Sequence, residues 1–340
     1  MRSLGAVVAR SDAERVRRAL ADSGVLRGEL VVARDGDWVI FPVSDSPTDP
    51  VLGARFEERE FLERSPSAPA SYRELTDVPE ELRESLPRSF DVVGDIVLIR
   101  IPEDIRPYSA AIGVALLEFV PGARLVGRDG GVHGESRLRL LERLAGSGGW
   151  TTVHRENGVQ LEADLERAYF SPRLAREHAR VAEEVRPGER VIDFACGVAP
   201  FGAHIVRDGR ARELVAVDSN PSATELAHHN LARAGPARTW RVVTDTIERF
   251  APVAGTCERA ILNLPHGGVK YLPSVGATLE REGTLHYYER TERSRLRDRP
   301  GELVETVGTI VPGAWSVPEV HVVHPYSPTE DIVGYRLVRS

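Results

Sequence analysis

The spacing of apolar residues predicts a small first domain. Residues 5–9 form an apolar run typical of a strand, and residues 12–23 place Val16, Ala19 and Leu20 on one face of a helix. Two further strands are predicted around Asp35-Gly36, a pair suited to the positive φ of a tight hairpin turn. Residues 44–75 lose this periodicity and are rich in Ser, Pro, Glu and Arg. The pattern therefore predicts a βαββ domain over residues 1–65 with a linker.

A second, mixed α+β domain is predicted over residues 76–162. The pattern indicates a helix near residues 80–86, a strand over 95–101 and a helix over 109–119. Residues 134–140 alternate small or polar with apolar side chains, as a half-exposed strand does, which would place Arg137 and Arg139 on one face. Residues 154–158 then predict a hairpin with Asn157-Gly158 at its tip.

From about residue 165 the pattern changes to alternating helices and short apolar strands. The strands are predicted at residues 191–194, 214–217, 240–243, 260–262 and 284–288. This alternation is typical of a parallel, doubly wound sheet. We therefore predict an α/β fold in which a Rossmann-like domain over residues 163–340 follows two smaller α+β domains.

Composition favours a cytoplasmic chain and leaves its partner open. The 340 residues are 41% hydrophobic, enough to bury the cores of two or three domains. Cys196 and Cys257 lie far apart, with neither a disulfide framework nor metal-ligand spacing, which favours a reducing compartment. The sequence contains no apolar run long enough to span a membrane, nor a signal-peptide core.

The charge balance of 51 acidic against 44 basic residues argues only weakly against a nucleic-acid partner. Every basic residue except Lys270 is arginine, which makes planar, bidentate contacts to phosphate and to guanine edges. A GC-rich genome or adaptation to salt explains the scarcity of lysine equally well. The arginines of residues 290–299 suit either phosphate contact or a solvated surface with the acidic residues nearby.

Residues just after the predicted strands indicate a nucleotide-like ligand, because doubly wound sheets bind ligands at the carboxyl ends of their strands. Residues 193–202 form a turn of small residues that opens a helix, where backbone can approach a ligand closely. Asp218 ends the second strand and is placed to hydrogen-bond the ribose hydroxyls of an adenosine cofactor, while Asp245 ends the third and can meet adenine. These positions alone fit any nucleotide-binding α/β domain.

The turn after the fourth strand points towards methyl transfer. It reads Asn263-Leu264-Pro265-His266, and many adenosylmethionine enzymes that methylate nitrogen have Asn or Asp, two prolines and an aromatic residue at this turn. An asparagine amide both donates and accepts hydrogen bonds, so it can orient the edge of a planar base, and proline stiffens the turn. The alternative is a strand-ending turn without a catalytic role.

Taken together, these motifs resemble those of the archaeal and eukaryotic tRNA (guanine(37)-N(1))-methyltransferases. The most specific is Tyr169-Phe170-Ser171-Pro172-Arg173. The likeness spans nearly the whole chain, because residues 37–43, 93–99, 154–158, 263–265 and 286–288 follow the family's order, as does Asp193. It implies a class I S-adenosylmethionine-dependent methyltransferase domain that methylates N1 of guanosine 37. It also implies a monomer that binds the tRNA anticodon loop and, through the N-terminal domain, the tRNA outer corner.

The resemblance also assigns catalytic roles. The family's general base falls on Glu177; because guanine N1 holds its proton at neutral pH, a nearby carboxylate is needed, preferably with its pKa raised by partial burial. Without the family, Glu177 would be taken as a solvated helix residue. Arg137 matches the arginine that stabilises charge on O6, with Arg139 in reserve, although either could contact phosphate. Asn263 and Pro265 would shape the base pocket.

The cofactor-binding set implied by the loops and the resemblance contains Tyr169, Arg173, Asp193, Gly197, Pro200, Phe201, Asp218, Ser219, Asp245 and Asn263, with Tyr169 also near the base. No metal ligands are predicted. The chain departs from the family at Ala199, where glycine is usual, and at Ala195, where phenylalanine is usual. A methyl group at a position of close approach weakens cofactor binding unless a small backbone shift absorbs it.

Two other functions share these features. One is a wybutosine-pathway enzyme that transfers a methyl or aminocarboxypropyl group to the tricyclic base at tRNA position 37. Asn263 and Arg173 argue against it, since those relatives differ at both motifs. The other is a tRNA-binding relative without catalysis. The joint presence of Glu177, Arg137 and Asp218 argues against it, because binding alone requires none of these residues at these positions.

Overall fold

The computed structural model describes residues 1–10, 12–35, 38–45, 54–62, 69–134, 137–236, 239–309, 311 and 313–340. The chain divides into two compact units, Met1–Glu74 and Leu75–Ser340. The predicted hairpin tip at Gly36, the neighbouring Asp37 and parts of the predicted linker lie outside the described residues. None of the described helices is long and apolar enough to cross a bilayer.

The first unit is built on a four-stranded antiparallel sheet with the order β2-β3-β1-β4. Its elements are β1 (Arg2–Ala9), α1 (Ala13–Asp22), β2 (Ala33–Asp35), β3 (Trp38–Val43) and β4 (Arg55–Glu60). Helix α1 buries Val16 and Leu20 against Ala6 and Val8 of β1, so the face predicted from helical spacing is the face that packs.

Strand β4 corrects the expectation that residues 44–75 are a linker without regular structure. It pairs with β1 along its whole length, from Arg2 opposite Glu60 to Val7 opposite Arg55. Five of its six residues are charged, which hides it from a search for apolar alternation. Its backbone hydrogen bonds to β1 hold it in the sheet, and charged side chains are common on edge strands because they discourage pairing with other chains.

The second unit begins with a smaller sheet with the order β5-β6-β7-β8. Its elements, with those that flank it, are α2 (Tyr72–Leu75) at the unit boundary, β5 (Asp91–Val93), β6 (Ile96–Ile99), α3 (Ser109–Phe119), β7 (Leu125–His133), β8 (Leu138–Gly146), β9 (Thr151–Glu156) and β10 (Val159–Asp164). Strands β9 and β10 form the predicted hairpin, with Asn157 at φ 41° and Gly158 at φ 79° in its turn. The helix predicted near residues 80–86 is a 3₁₀ helix, Glu80–Ser85.

The strand predicted over residues 134–140 is wrong in its first half. Gly134, at φ 66°, and Arg137, at φ 52°, lie in turns between β7 and β8. Glu135 and Ser136 lie outside the described residues. Arg137 therefore sits in a turn, not on a strand face, because two antiparallel strands must be joined there.

A seven-stranded sheet with the order β13-β12-β11-β14-β15-β17-β16 forms the rest of the unit. Its strands are β11 (Arg190–Phe194), β12 (Glu213–Asp218), β13 (Trp240–Thr244), β14 (Cys257–Asn263), β15 (Leu279–Glu292), β16 (Trp315–Pro325) and β17 (Glu330–Arg339). The helices are α4 (Ala175–Glu184), α5 (Pro200–Asp208), α6 (Pro221–Ala234), α7 (Ile247–Phe250), α8 (Leu272–Gly276) and α9 (Arg299–Gly308).

The first five strands of this order are parallel, whereas β17 runs antiparallel to β15 and to β16. Both faces of the sheet are covered: Val191 of β11 belongs to one apolar cluster and the next residue, Ile192, to the cluster on the opposite face. The structure confirms the α/β class and the five predicted strands. A boundary at residues 162–163 within the second unit stays a prediction.

Candidate active site

A cavity of about 830 Å³ opens at the carboxyl ends of β11, β12, β13 and β14, where a doubly wound sheet is expected to bind its ligand. Gly134 and Arg137, between β7 and β8, and Tyr169 and Arg173, before α4, line its other side. Of the predicted site residues, those that line the cavity are Arg137, Tyr169, Arg173, Gly197, Pro200, Asp218, Ser219, Asp245, Asn263 and Pro265. Three predicted residues, Asp193, Phe201 and Glu177, do not.

The loop after β11 carries an unusual backbone. Ala195, Gly197 and Ala199 all lie in the left-handed region, at φ 58°, 58° and 57°. That region favours glycine, because a Cβ there crowds the neighbouring carbonyl at a cost of roughly 1–2 kcal/mol. Ala199, where the family usually has glycine, therefore occupies a backbone conformation that glycine would adopt without strain. Its buried methyl group packs within the apolar cluster beside α5.

Asp218 fastens this loop to the end of β12. One carboxylate oxygen accepts a hydrogen bond from the Gly197 backbone N–H (2.8 Å), and the other accepts from the Asn220 N–H (2.9 Å). Burial raises the pKa of Asp218 above its usual range, although these backbone donors oppose the shift. Ser219 follows it on the exposed rim, and Asp245 is tied in by its own N–H, which donates to the Asp218 carbonyl (3.0 Å).

On the opposite wall, two arginines converge on one aromatic ring. The guanidinium carbons of Arg137 and Arg139 lie 4.7 and 5.4 Å from the centre of the Tyr169 ring. Arg139 is buried; it forms an ion pair with Asp129 and donates to the Phe170 carbonyl (2.9 Å). Arg137 is only partly buried and faces the cavity, so its donors are placed to meet a ligand.

The turn after β14 contributes a polar acceptor. Oδ1 of Asn263 is buried in the cavity wall and has no hydrogen-bond partner among the described residues, which makes it available to a donor on a bound base. The Pro265 carbonyl accepts from the Arg290 N–H (3.1 Å), which ties the turn to β15. Burial, and next the charge of Arg137, lowers the pKa of His266, so this imidazole is neutral at physiological pH.

Arg173, predicted to contact the cofactor, lies on the cavity wall but is bound to another side chain. Its Nε donates to Oδ1 of Asp91 at the start of β5 (2.8 Å), and its side chain is 47% exposed. This pair joins the smaller sheet to the 3₁₀ turn Pro172–Leu174 that precedes α4. The remaining donors of Arg173 still face the cavity.

Two of the predicted cofactor contacts need correction. Asp193 is fully buried within β11, where burial and then the charge of Asp218 raise the pKa of its carboxyl well above the usual range. Phe201 points into the core and packs its ring against His178 (4.6 Å between centres) and Tyr288 (5.7 Å). Both side chains support the cavity from behind, because strand and helix geometry turns them towards the core.

Glu177 also lies behind the cavity wall, in the first turn of α4, and is 5% exposed. The Tyr288 hydroxyl donates to its Oε1 (2.7 Å), Nε2 of His321 is 3.1 Å from both oxygens, and Arg180 forms an ion pair with it. Burial alone would raise the pKa of Glu177, but these hydrogen bonds outweigh it and hold the pKa at about 2. The expectation of a raised pKa was therefore wrong.

Several cavity residues were missed by the sequence analysis. Asp129 and Arg100 line it from the smaller sheet, while Ile247 and Tyr271 line it beside Asp245. Lys270, the one lysine of the sequence, also lines it, and its position shortly after the Asn263 turn was a signal that could have been used. The others come from distant segments, and nothing in their local sequence marks them.

Comparison with known proteins gives matches along the chain. Residues 152–310 match the TRM5/TYW2 methyltransferase domain, residues 73–149 the TYW2 N-terminal domain, and residues 7–51 the tRNA methyltransferase 5 N-terminal domain. The chain is 35% identical over 287 residues to the tRNA (guanine(37)-N(1))-methyltransferase Trm5b of Pyrococcus abyssi, with 84% of each chain covered. It is 26% identical over 223 residues to the tRNA(Phe) (4-demethylwyosine(37)-C(7)) aminocarboxypropyltransferase of Pyrococcus horikoshii, covering 66% and 78%.

Solved structures agree with this assignment. The crystal structure of Trm5b from Pyrococcus abyssi superposes with a TM-score of 0.80 at 30% identity, covering 99% of both chains. A complex of aTrm5 with tRNALeu gives a TM-score of 0.78 at 28% identity, covering 99% of this chain and 100% of the other. These findings confirm the resemblance noted in the sequence: the chain belongs to the TRM5/TYW2 methyltransferase family, as a member that carries the Trm5 N-terminal domain.

Proposed function

We propose that this protein is a tRNA (guanine(37)-N(1))-methyltransferase that uses S-adenosylmethionine. One observation carries the proposal: in a single cavity, Gly197, Asp218 and Asn263 lie at the strand ends, opposite Arg137 and Tyr169. The sequence similarity to Trm5b enzymes supports it over most of the chain. We propose further that the protein acts in the cytoplasm as a monomer and contacts the anticodon loop and outer corner of tRNA.

The cofactor would lie along the ends of β11, β12 and β13. Asp218 can accept hydrogen bonds from ribose hydroxyls, because a carboxylate offers about four acceptor positions and the backbone donors of Gly197, Ser219 and Asn220 do not occupy all of them. Asp245 and Ile247 would border the adenine. S-adenosylmethionine supplies a methyl group that is already activated on a sulfonium, so the protein needs mainly to align the target nitrogen.

The guanine would lie between the Asn263 turn and the Arg137 wall. Oδ1 of Asn263 can accept a hydrogen bond from the base, and Pro265 holds the turn. Arg137 can donate to O6, where negative charge develops as N1 loses its proton. The guanosine must leave its stack in the tRNA loop to reach this depth, as substrates of base-modifying enzymes do.

Glu177 remains our proposed general base. Its low pKa keeps it ionised at neutral pH, as a proton acceptor must be. Its oxygens, however, are bound to Tyr288, Arg180 and His321 behind the cavity wall. The role therefore requires the carboxylate to turn towards N1 when tRNA binds, and catalytic hydrogen bonds commonly form only in the substrate complex.

The test compares two forms of labelled S-adenosylmethionine, one labelled in the methyl group and one in the carboxyl carbon. Each is tried on an unmodified tRNA transcript with G37 and on tRNA that carries 4-demethylwyosine at position 37, the base named for the Pyrococcus horikoshii relative. We expect label from the methyl form on the G37 transcript and no carboxyl label on either tRNA. Transfer of carboxyl label would instead indicate aminocarboxypropyl transfer, the reaction named for the Pyrococcus horikoshii relative. Incorporation of neither would contradict the proposal.

The base is tested in the same assay with Glu177→Ala and a matched control. Removal of a general base lowers the rate by roughly 10²–10⁴-fold. Glu183→Ala is the control, because Glu183 lies on the same helix and is exposed. Equal rates for the two variants would remove Glu177 from the mechanism without affecting the assignment of the reaction.

A further inference from the structure

A buried cluster of one carboxylate and two imidazoles lies at the back of the cavity, where His178 forms part of the wall, and it has no part in the mechanism above. Glu156 ends β9, His178 lies in α4 and His204 lies in α5. Their side chains are 2%, 1% and 0% exposed. One donor atom from each, a Glu156 oxygen and one ring nitrogen from each histidine, all lie within 4.8 Å of one another.

The geometry of the cluster is close to a metal coordination sphere. Oε1 of Glu156 is 2.6 Å from Nδ1 of His178 and 3.1 Å from Nε2 of His204. Donors about 2.0–2.1 Å from a tetrahedral Zn²⁺ are about 3.3 Å apart. An ion therefore requires Oε1 of Glu156 to move about 0.7 Å further from Nδ1 of His178, which is now 2.6 Å away, and about 0.2 Å further from Nε2 of His204, which is now 3.1 Å away. Two histidines with one carboxylate form a ligand set that suits Zn²⁺ and other first-row divalent ions.

The charges of the cluster also favour a cation. Within the described part of the chain, the ion pairs of Glu156 are all with histidines, namely His154, His178 and His204. A buried carboxylate is unfavourable unless it is paired with positive charge or with hydrogen-bond donors, and a divalent ion would supply positive charge at this site.

The surroundings hold the three ligands in place. The His178 ring packs edge-on against Phe201. Beside the cluster, Nδ1 of His154 accepts a hydrogen bond from the Gly94 N–H (3.3 Å), which leaves the proton on Nε2, 3.6 Å from the second oxygen of Glu156. An imidazole directed at a ligating carboxylate is the kind of outer partner that orients metal ligands.

We propose that Glu156, His178 and His204 bind one divalent transition-metal ion, with Zn²⁺ as the expected ion. The site is structural, because all three ligands are buried and come from three different elements. The ion joins the β9–β10 hairpin to helices α4 and α5, which border the active-site cavity. This proposal does not depend on the reaction that the protein catalyses.

The experiment uses the full chain without a polyhistidine tag. Bound metal is first removed with a chelator, and the protein is then titrated with ZnCl₂ or CoCl₂. The number of bound metal ions per chain is measured by inductively coupled plasma mass spectrometry, and the coordination of bound Co²⁺ by its visible absorption spectrum. We expect one ion per chain, a tetrahedral Co²⁺ spectrum without a thiolate band, and a higher melting temperature with Zn²⁺. Absence of stoichiometric binding by the wild-type chain overturns the proposal and leaves a hydrogen-bonded cluster.

Variants locate the ion. His204→Ala and the more conservative Glu156→Gln should each weaken metal binding by at least ~100-fold. Removing only an outer partner of a metal ligand weakens binding by up to about 100-fold, and removing a ligand itself should cost at least as much. His229→Ala is the matched control, because His229 is a histidine with a 53% exposed side chain on α6. Circular dichroism of each variant checks that it is folded. Unchanged binding in the folded Glu156→Gln chain, or loss in His229→Ala, would place the ion elsewhere.

Discussion

The two arginines beside Tyr169 should respond to mutation in opposite ways. Replacing each with methionine keeps most of the apolar stem and removes the guanidinium. Arg139 and Asp129 form an ion pair whose side chains are 5% and 6% exposed, and Arg139 also binds the Phe170 carbonyl. Removing one partner of a buried pair destabilises a protein by about 3–5 kcal/mol. We expect Arg139→Met to lower the free energy of unfolding by about 3 kcal/mol, the low end of that range, because Arg100 remains 3.7 Å from Asp129 and still partly balances its charge.

Arg137→Met should leave stability nearly unchanged and impair catalysis. Its described interaction is with the Tyr169 ring, and such a contact contributes about 0.5–1 kcal/mol at an exposed site. Loss of a donor to developing negative charge lowers kcat by roughly 10²–10³-fold. Urea unfolding and single-turnover methyl transfer measure the two effects separately. The reasoning is refuted if Arg137→Met is the less stable variant, or if Arg139→Met, while folded, loses more activity than Arg137→Met.

Three further predictions concern pH, cofactor binding and packing. The folded-state pKa of Glu177 is lowered from 4.5 to about 2, so its ionised form stabilises the fold above pH ~4.5, and this stabilisation is lost as the pH falls towards 2. In urea unfolding, the stability advantage of the wild type over Glu177→Gln should shrink by roughly 3 kcal/mol between pH ~4.5 and 2. A stability difference that stays constant over this range would contradict the prediction. Asp218→Asn should raise the Kd for S-adenosylmethionine by about 10–100-fold in calorimetry, since it removes a charged acceptor; an unchanged Kd would exclude the ribose contact. Gly113→Ala should lower the unfolding free energy by about 1–3 kcal/mol, because a Cβ there would lie 2.6 Å from Cβ of Leu144. Gly301→Ala, in α9 with nothing within 4 Å, should be neutral or stabilise by up to about 1 kcal/mol, and equal effects at the two glycines would show that crowding is not the cause.

The parallel sheet and its ligand-binding edge were predictable from sequence because each strand is a short apolar run followed by a loop that carries its own signal. Asp218 and Asn263 end their strands, so strand direction alone places both at one edge of the sheet. Strand β4 was hidden because its pairing depends on backbone groups, not on side-chain pattern. The turn at Arg137 was hidden because alternation continues through a reversal that Gly134 makes possible.

The environment of Glu177 could not be read from sequence for a different reason. Its pKa depends on Tyr288 and His321, which are 111 and 144 residues away along the chain. Burial alone would shift the pKa upwards, and only the fold shows that three donors reverse the sign. The cluster of Glu156, His178 and His204 was missed similarly, because its members are 22 and 48 residues from the glutamate and form no local motif.

The most direct test of the central claim is the identity of the modified nucleoside. Wild-type protein is incubated with S-adenosylmethionine and matched tRNA transcripts that carry G or A at position 37, and the digested nucleosides are analysed by mass spectrometry. We predict N1-methylguanosine from the G37 transcript and no methylated nucleoside from the A37 transcript. Methylation of both transcripts, or of a nitrogen other than N1 of guanosine 37, would contradict the account.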